Sequence, residues 1–441
     1  MKGLVALNVN MMNDVVKDSV LADILSISKT NLKQWIKNKK ISPLFYQEDT
    51  AFFSLQTLKN FAPVSALLNS TWHIQTQTKP NRTYSSIELF AGAGGMALGM
   101  EKAGLEACIL NEIDKAACKT LRINRPHWNI IEQDIREVDF KAYEGVDFVA
   151  GGFPCQAFSY SGKKLGFEDA RGTLFFEFAR VIKETQPKIL LGENVRGLLT
   201  HDNGNTLSSI KSIIAELGYT LIEPTVLKAI FYAVPQKRER LFLVGIRNDL
   251  LPYASYEWPS CYPKVLTLEN VLKAGELYNE DVPKSIGQVY PKRKAEIMAL
   301  IPEGGYWKDL PDELQQEYMR GSYHLGGGKT GLARRLSWNE PSLTLTCAPA
   351  QKQTERCHPT ETRPLTVREY ARIQTFPDEW FFEGSLTDQY KQIGNAVPVN
   401  LAYAMGLSIV KLLNTIENNK SLQRVVKETE TEAVQLSLGV V

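Results

Sequence analysis

The stretch Ser86–Met100, SIELFAGAGGMALGM, runs from an apolar strand-like segment through glycines 92, 94 and 95 into a helix-favouring segment. Glycines at a strand-to-helix turn let backbone approach a ligand closely and aim helix amides at it. Outward from this turn the rhythm repeats, with EACIL, DKAACKTLRIN, NIIEQDI, VDFVAGG, TLFFEFARVIKET, KILLGEN and TLSSIKSIIAELG alternating strand and helix patterns. The alternation predicts an α/β fold built on a doubly wound, mostly parallel sheet. Within residues 174–182, Leu174, Phe175, Phe178, Val181 and Ile182 recur at helical spacing and give one apolar face for that sheet. LIEPTVLKA and RLFLVGIR are expected to close it as an antiparallel pair.

Residues 1–78 read as a separate helical module. DSVLADILSISKTNLKQWIKNKK holds two helical apolar patterns broken at SIS, with Ser28 placed to cap the second, which is helix-turn-helix spacing. Lys29, Lys33, Lys37, Lys39 and Lys40 follow with no acidic residue among them, and LFYQEDTAFFSLQTLKNF is expected to supply a wing and a supporting helix. A solvated lysine face on a small helical domain accounts for these residues equally well. NSTWHIQTQTKPNRT then reads as a linker into residues 85–250. Residues 251–385 are rich in Pro, Gly and Tyr with basic groups such as YPKRK and GGGKTGLARR, and predict a smaller irregular domain. Residues 386–415 return to sheet-packing character, and residues 418–441 form a polar tail.

A chain of 441 residues with 44% apolar and 23% charged residues is core-forming and is expected to make two or three domains. It has no run of eighteen apolar residues, and its start is too interrupted for a signal peptide, so a cytoplasmic protein without a membrane partner is expected. Cys108, Cys118, Cys155, Cys261, Cys347 and Cys357 lack Cys-x-x-Cys spacing, which argues for reduced thiols and against a metal site or disulfide framework. A net charge of +2 neither suggests nor excludes nucleic acid.

Gly92 and Gly94 fit a loose dinucleotide pattern, and Glu112 lies 20 residues beyond Gly92, where a carboxylate can accept from ribose hydroxyls. Asp134 ends the third strand on the same edge, able to accept from an adenine amino group beside the apolar Ile135, although an isolated Asp there is more often a helix cap. GGFPCQAFSYS brings Cys155 to the end of the fourth strand, and ILLGENV brings Glu193 to the end of the next. Burial after that apolar run would raise the pKa of Glu193 towards use as an acid. Arg238 and Arg240 in PQKRERLFLVGI are two apart and so expected on one strand face, able to grip anionic or carbonyl oxygens.

FAGAGG, NEID, GFPCQAFSYSG, GFEDARGTLFFE, ENV, HDNGNTL, QKRER and QIGNAV occur in that order. Together they closely resemble the DNA (cytosine-5) methyltransferases of bacterial restriction-modification systems, densely over residues 85–250 and again in RPLTVREYARIQTFPDEW and QIGNAVPVNLA. The resemblance implies a Rossmann-like methyltransferase domain, with the irregular part as target-recognition domain. It implies S-adenosylmethionine as cofactor, with Phe90 and the glycine turn at methionine and sugar, Glu112 at ribose, Asp134 and Ile135 at adenine, and Asn395 near the amino-acid end. Ile113 stands where some relatives offer an aromatic ring, so adenine stacking should be weaker. Cys155 is the implied nucleophile. Its thiolate adds at the sixth carbon of a flipped cytosine, Glu193 donates to ring N3, Arg240 holds the carbonyl oxygen and Arg238 stabilises the loop or a phosphate. Gln156, Ser159, Ser161, Lys163 and Lys164, with Lys33 and Lys37 of the first module, are candidate contacts to double-stranded DNA.

Alternatives are an RNA cytosine-5 methyltransferase, a nicotinamide-dependent oxidoreductase, which leaves Cys155 and Glu193 unexplained, and a non-catalytic DNA-binding regulator. A monomer is expected for catalysis, with a dimer through the N-terminal module left open. That module is expected to be dispensable for methylation, and repression of the protein's own promoter is an expectation for it. Protection of host DNA from a companion restriction enzyme is another.

Overall fold

The computed structural model describes residues 14–154, 174–324, 326 and 329–438, with side chains as far as residue 423. The chain forms two compact units, one of Met1–His73, Lys228–Arg238 and Ser260–Leu401, the other of Ile74–Leu227, Glu239–Pro259 and Ala402–Val441.

The first unit begins with β1 (Val15–Lys17), α1 (Asp18–Leu25), α2 (Lys29–Lys37), β2 (Phe45–Gln47), β3 (Thr50–Ser54) and α3 (Ala62–Leu68). Ser26 turns the chain between the two helices in a left-handed conformation (φ 59°), and the Ser28 hydroxyl accepts from the Asn31 amide at 3.0 Å to cap α2. The strands pair antiparallel in the order β1-β3-β2, so the β2–β3 hairpin stands where a wing is expected. These residues share a core with other parts of their unit. Phe231, Cys261 and Val265 pack against the core of Leu21, Ile24, Phe53 and Val64. Lys237 Nζ also lies 2.7 Å from Asp23. The separation expected at residue 78 is therefore replaced by shared burial.

The second unit carries β4 (Tyr84–Leu89), α4 (Gly95–Lys102), β5 (Leu105–Glu112), α5 (Lys115–Asn124), β6 (Ile130–Glu132) and β7 (Phe148–Gly151). It continues with α6 (Leu174–Thr185), β8 (Ile189–Val195), α7 (Asn205–Glu216), β9 (Tyr219–Leu221) and β10 (Thr225–Lys228). The chain then passes through β11 (Gln236–Lys237) of the first unit to β12 (Glu239–Arg247). The sheet order is β10-β12-β8-β7-β4-β5-β6, with β9 also on β12. Strands β4 to β8 are parallel, and β12 runs antiparallel to both β8 and β9. The order reverses between β4 and β7, which is the switch point outside whose carboxyl ends open α/β sheets bind ligands.

One face of the sheet buries Ile87, Leu89, Val149, Leu190 and Leu243 against Phe175, Phe178 and Ile182 of α6 and Ile210, Ile213 and Ile214 of α7. Leu174 is packed only at the edge of this core, so the expected apolar face of α6 holds with its first residue partly exposed.

In the first unit, α8 (Lys292–Ala299), α9 (Asp312–Met319), β13 (Ser342–Leu343), α10 (Val367–Ile373) and α11 (Leu386–Asn395) are joined by long irregular segments. Irregular backbone must find polar partners elsewhere. Buried Arg335 supplies them, donating to the carbonyls of Met298 (2.8 Å), Ile301 (2.7 Å) and His358 (3.1 Å). Helix α12 (Val399–Leu438) follows, and within the second unit Gly406 lies so close to α4 that a Cβ there would meet the Ala103 Cβ at 2.7 Å. Glu417 on the same helix ties Arg82 at 2.7 Å, and Arg82 also binds Asp147 at 2.6 Å.

Candidate active site

The register of the parallel strands places Leu89 beside Asn111 and Gly151, and Gly151 beside Gly192. The next residue on each chain, Phe90, Glu112, Gly152 and Glu193, therefore stands along one row of the sheet edge. Chain direction alone delivers these four side chains or turns to the switch point.

The turn after β4 is held in conformations that L-residues rarely adopt, with φ of 59° at Phe90, 54° at Gly92 and 83° at Gly94. A non-glycine in this region is strained, and such strain gathers at ligand sites. Glu112 pins the turn. Its Oε2 accepts from the Gly92 amide at 2.7 Å, and its Oε1 accepts from the amides of Ile113 and Asp114, each at 2.8 Å. Asn111 fixes the neighbouring strand end by donating to the carbonyls of Ile131 and Gln133.

An adenosine-bearing cofactor fits this cradle. A Cβ on Gly92 would meet nothing within 4 Å, so space lies open beside the turn, and Ile113 is 63% exposed, leaving an apolar surface next to Glu112. Beneath the turn, Glu88 is buried on β4 with its Oε1 lacking a hydrogen-bond partner among the described residues. Burial raises its pKa to about 8, against the opposing pull of the Ala97 amide in the first turn of α4.

Asp134 and Ile135 also have partners within the chain. Asp134 caps the short turn Ile135–Glu137 through the Arg136 amide and pairs with the Arg136 guanidinium, whose hydrogen bonds hold the carboxyl down to about 2. Ile135 is a core residue at 3% exposure.

On the other side of the switch point, Glu193 and Arg240 form an ion pair, Oε1 to Nε 2.7 Å, with side-chain exposures of 11% and 13%. Strand β12 sets Phe242 opposite Glu193, so Arg240, two residues along, reaches Glu193 diagonally on the same face. A Cβ on Gly152 would lie 3.0 Å from Glu193 Oε2, so glycine leaves room for that carboxylate. Asn194 Nδ2 donates to the Phe153 carbonyl at 2.9 Å, fixing the backbone two residues before Cys155, and the Val195 amide donates back to Asn194 Oδ1 at 2.8 Å. Cys155, Gln156, Ser159, Ser161, Lys163 and Lys164 lie outside the described residues.

Glu88, Asn111, Gly152 and Asn194 were not singled out from sequence. All but Glu88 had a signal, as members of the Asn-Glu-Ile-Asp, Gly-Gly-Phe-Pro and Glu-Asn-Val segments.

Arg238 does not share a strand face with Arg240. It is 1% exposed in the first unit and donates to the carbonyls of Leu345 (3.3 Å), Gly394 (3.0 Å) and Asn395 (3.4 Å). It binds main chain there. In the same unit the Asn395 side-chain oxygen accepts from Cys347 Sγ at 3.2 Å. Lys33 and Lys37 are exposed on α2, together with Asn31 and Gln34. Among the described residues no cluster of three or more His, Cys, Asp or Glu is placed to hold a metal ion.

Residues 84–411 match the C-5 cytosine-specific DNA methylase family. The chain is 64% identical over 409 residues to the Type II methyltransferase M.Eco47II of Escherichia coli, covering 92% of this chain and 98% of that one. It is 59% identical over 398 residues to the Type II methyltransferase M.PspPI of Psychrobacter sp. (strain TA137), covering 90% and 96%. Among solved structures, a prophage-encoded Escherichia coli protein described as a DNA modification methyltransferase superposes with a TM-score of 0.59 at 24% identity, over 75% of this chain and all of that one. At that identity the likeness concerns the fold alone.

Proposed function

Since this chain belongs to the C-5 cytosine-specific DNA methylase family and is a DNA (cytosine-5) methyltransferase, we propose that Cys155, Glu193 and Arg240 form its reaction centre, with S-adenosylmethionine as methyl donor and duplex DNA as substrate. The observation that carries the reading is the buried Glu193–Arg240 pair at 2.7 Å, with Glu193 on the strand next to the one that leads into Cys155.

The fifth carbon of cytosine is a poor nucleophile until a group adds at the sixth. The Cys155 thiolate forms that carbon–sulfur bond, and Glu193, after taking up a proton from solvent against the pull of Arg240, donates it to ring N3, so the electron pair displaced by addition is not left as a bare charge. Arg240 orients Glu193 and offers its remaining donors to the carbonyl oxygen. When bound, the cofactor supplies the methyl group as an electrophilic sulfonium. Glu112, held by three amides, would accept from the cofactor's ribose hydroxyls, and exposed Ile113 would lie at its adenine. Loss of the proton from the methylated carbon then returns the electron pair that expels the thiolate. The target base must leave the helical stack for any of this, at a cost of a few kcal/mol that DNA contacts offset.

The test is covalent trapping on duplex DNA carrying 5-fluorocytosine at the methylated position, with cofactor present. Fluorine does not leave as a proton does, so the wild-type chain is expected to accumulate a protein–DNA adduct and Cys155→Ser none. Absence of the adduct on DNA that the same preparation methylates when unmodified overturns the addition step.

A second reading concerns residues 14–68. Exposed Asn31, Lys33, Gln34 and Lys37 on α2, beside a hairpin segment exposing Leu44 (50%), Phe45 (40%) and Tyr46 (60%), make a winged helix-turn-helix face for DNA. Full-length Lys33→Ala/Lys37→Ala is expected to lose salt-sensitive binding to DNA that lacks the methylated sequence. Unaltered binding returns these lysines to the role of a solvated face. Protection against a companion restriction enzyme follows the naming of M.Eco47II and M.PspPI as Type II methyltransferases, and is checked by digestion of DNA from expressing cells.

A further inference from the structure

The irregular part of the first unit holds a cavity of about 360 Å3 lined by Arg293, Lys294, Glu317, Tyr318, Arg320 and Lys352 among others. Two of its four cations are matched by acids. Arg293 makes a two-pronged pair with Glu317, at 2.7 and 2.6 Å, and also reaches Glu296 at 3.0 Å. Lys294 lies 2.6 Å from Glu355, which is fully buried. Neither of the other two makes an ion pair within 4 Å among the described residues, although, after the Arg293 hydrogen bond, the charge of Arg320 helps to hold the Glu317 carboxyl below its ordinary range. Lys352 Nζ donates to the Met319 carbonyl at 3.1 Å, and Arg320 is exposed at the end of α9. Burial, then the charges of Arg320 and Lys294, push the pKa of Lys352 below its ordinary value.

The backbone also holds this arrangement at a cost. Arg320 has φ 50° and ψ −134°, a region that a side chain with a Cβ rarely occupies. Strained non-glycine residues persist where surrounding structure enforces them, and they gather at ligand clamps. The end of α9 turns sharply here, and the two cations without ion pairs share one recess.

We propose that this pocket seats one backbone phosphate of the DNA substrate, with Arg320 and Lys352 as its ligands. The inference rests on the DNA methyltransferase reading and adds to it a contact assigned to particular residues. A phosphodiester carries a single negative charge and acceptor oxygens, and a guanidinium beside an ammonium meets both. Two cations without ion pairs, in a recess whose other two are neutralised, suit a polyanionic substrate. Such a contact positions the irregular region along the duplex and carries no sequence information.

The experiment compares the full-length wild type with Arg320→Ala/Lys352→Ala and with Arg320→Lys/Lys352→Arg. Binding to a duplex bearing the methylated sequence and to one without it is measured over a series of salt concentrations. The alanine variant is expected to lose about tenfold in affinity for both duplexes alike, and its plot of log affinity against log salt is expected to be shallower by about one. The charge-preserving variant keeps most of both, and unchanged thermal unfolding shows that the fold is intact. An unchanged slope overturns the proposal, and so does a loss confined to the specific duplex, which is the signature of base reading. If inorganic phosphate raises the melting temperature of the wild type but not of the alanine variant while the DNA slope is unchanged, the pocket is a small-anion site and the proposal fails. A methylation map of wild-type-treated DNA, run in parallel, reports separately on the methyltransferase reading.

Discussion

Arg240 Nε lies 2.7 Å from Glu193 Oε1, and the strands carrying them are antiparallel neighbours, so sheet register itself joins the two side chains. A buried carboxylate without its cation is costly, and a guanidinium can hold one oxygen while offering further donors to a substrate.

Arg240→Ala is accordingly expected to lower kcat by about 10²- to 10³-fold, the size found when one donor aimed at developing charge is removed. Arg240→Lys should recover part of this, since an ammonium replaces the charge without the planar fork. Methyl incorporation at saturating DNA and cofactor measures both. Wild-type turnover by Arg240→Ala would remove the pair from the chemistry.

Gly152→Ala is expected to fold and to bind cofactor yet to turn over about tenfold or more slowly, because its new Cβ would sit 3.0 Å from Glu193 Oε2 and displacements of about 1 Å at such sites are costly. Asn194→Ala should also lower kcat, and should lower stability by about 1–3 kcal/mol, since the buried Phe153 carbonyl loses its donor. Urea unfolding read beside single-turnover methylation separates the two effects.

Glu88 makes a pH prediction with a definite sign. Its folded pKa is about 8 against an ordinary 4.5, so between those values the folded chain keeps a proton that the unfolded chain has released. Stability therefore falls as pH rises through that window, by on the order of 1.4 kcal/mol per pH unit from this group. Glu88→Gln removes the contribution, so the variant should gain on the wild type between about pH 5 and about pH 8. Parallel urea curves across that range would show Glu88 ionised throughout.

Truncation at residue 79 tests the attachment of the N-terminal segment. Phe231 and Val265 pack on its core, and Lys17, Lys29 and Lys237 surround Glu340, so removal exposes apolar surface and leaves Glu340 with fewer cations. The truncated chain is expected to lose cooperative unfolding of the first unit, contrary to the independence suggested by the polar linker. Burial alone would raise the pKa of Glu340, but the three lysines outweigh it and hold the carboxyl down to about 2. That contribution is complete above the ordinary carboxylate pKa and is lost as pH falls towards about 2. Glu340→Gln should therefore destabilise the full chain at neutral pH, with a difference from wild type that narrows below about pH 4. A truncation that melts cooperatively and methylates normally would restore the independent module.

Much of the second unit was legible because its signals are local. Strand and helix periods are written in neighbouring residues, and a glycine turn after a strand is recognised within a dozen positions. The Ser28 cap and the β2–β3 hairpin were readable for the same reason. Asp134 was less legible, since a carboxylate at a strand end serves as cap or ligand with equal ease, and the nearby Arg136 engages it here. Glu88 gave no signal, because an acidic residue inside a strand looks solvent-facing until the neighbouring layers are in place.

The sequence by itself determined the alternating strands and helices, the delivery of Glu112 and Glu193 to carboxyl ends of parallel strands, and the family. Only the tertiary structure decided the fates of Arg238 and Arg240. They are two residues apart, yet the chain leaves the first unit at Arg238 and enters the second at Glu239. Arg238 is consequently buried among the carbonyls of Leu345, Gly394 and Asn395, more than a hundred residues away in sequence, while Arg240 joins the strand beside Glu193. Spacing along a chain reports which side chains share a face only while one element continues, and here the element ends between them.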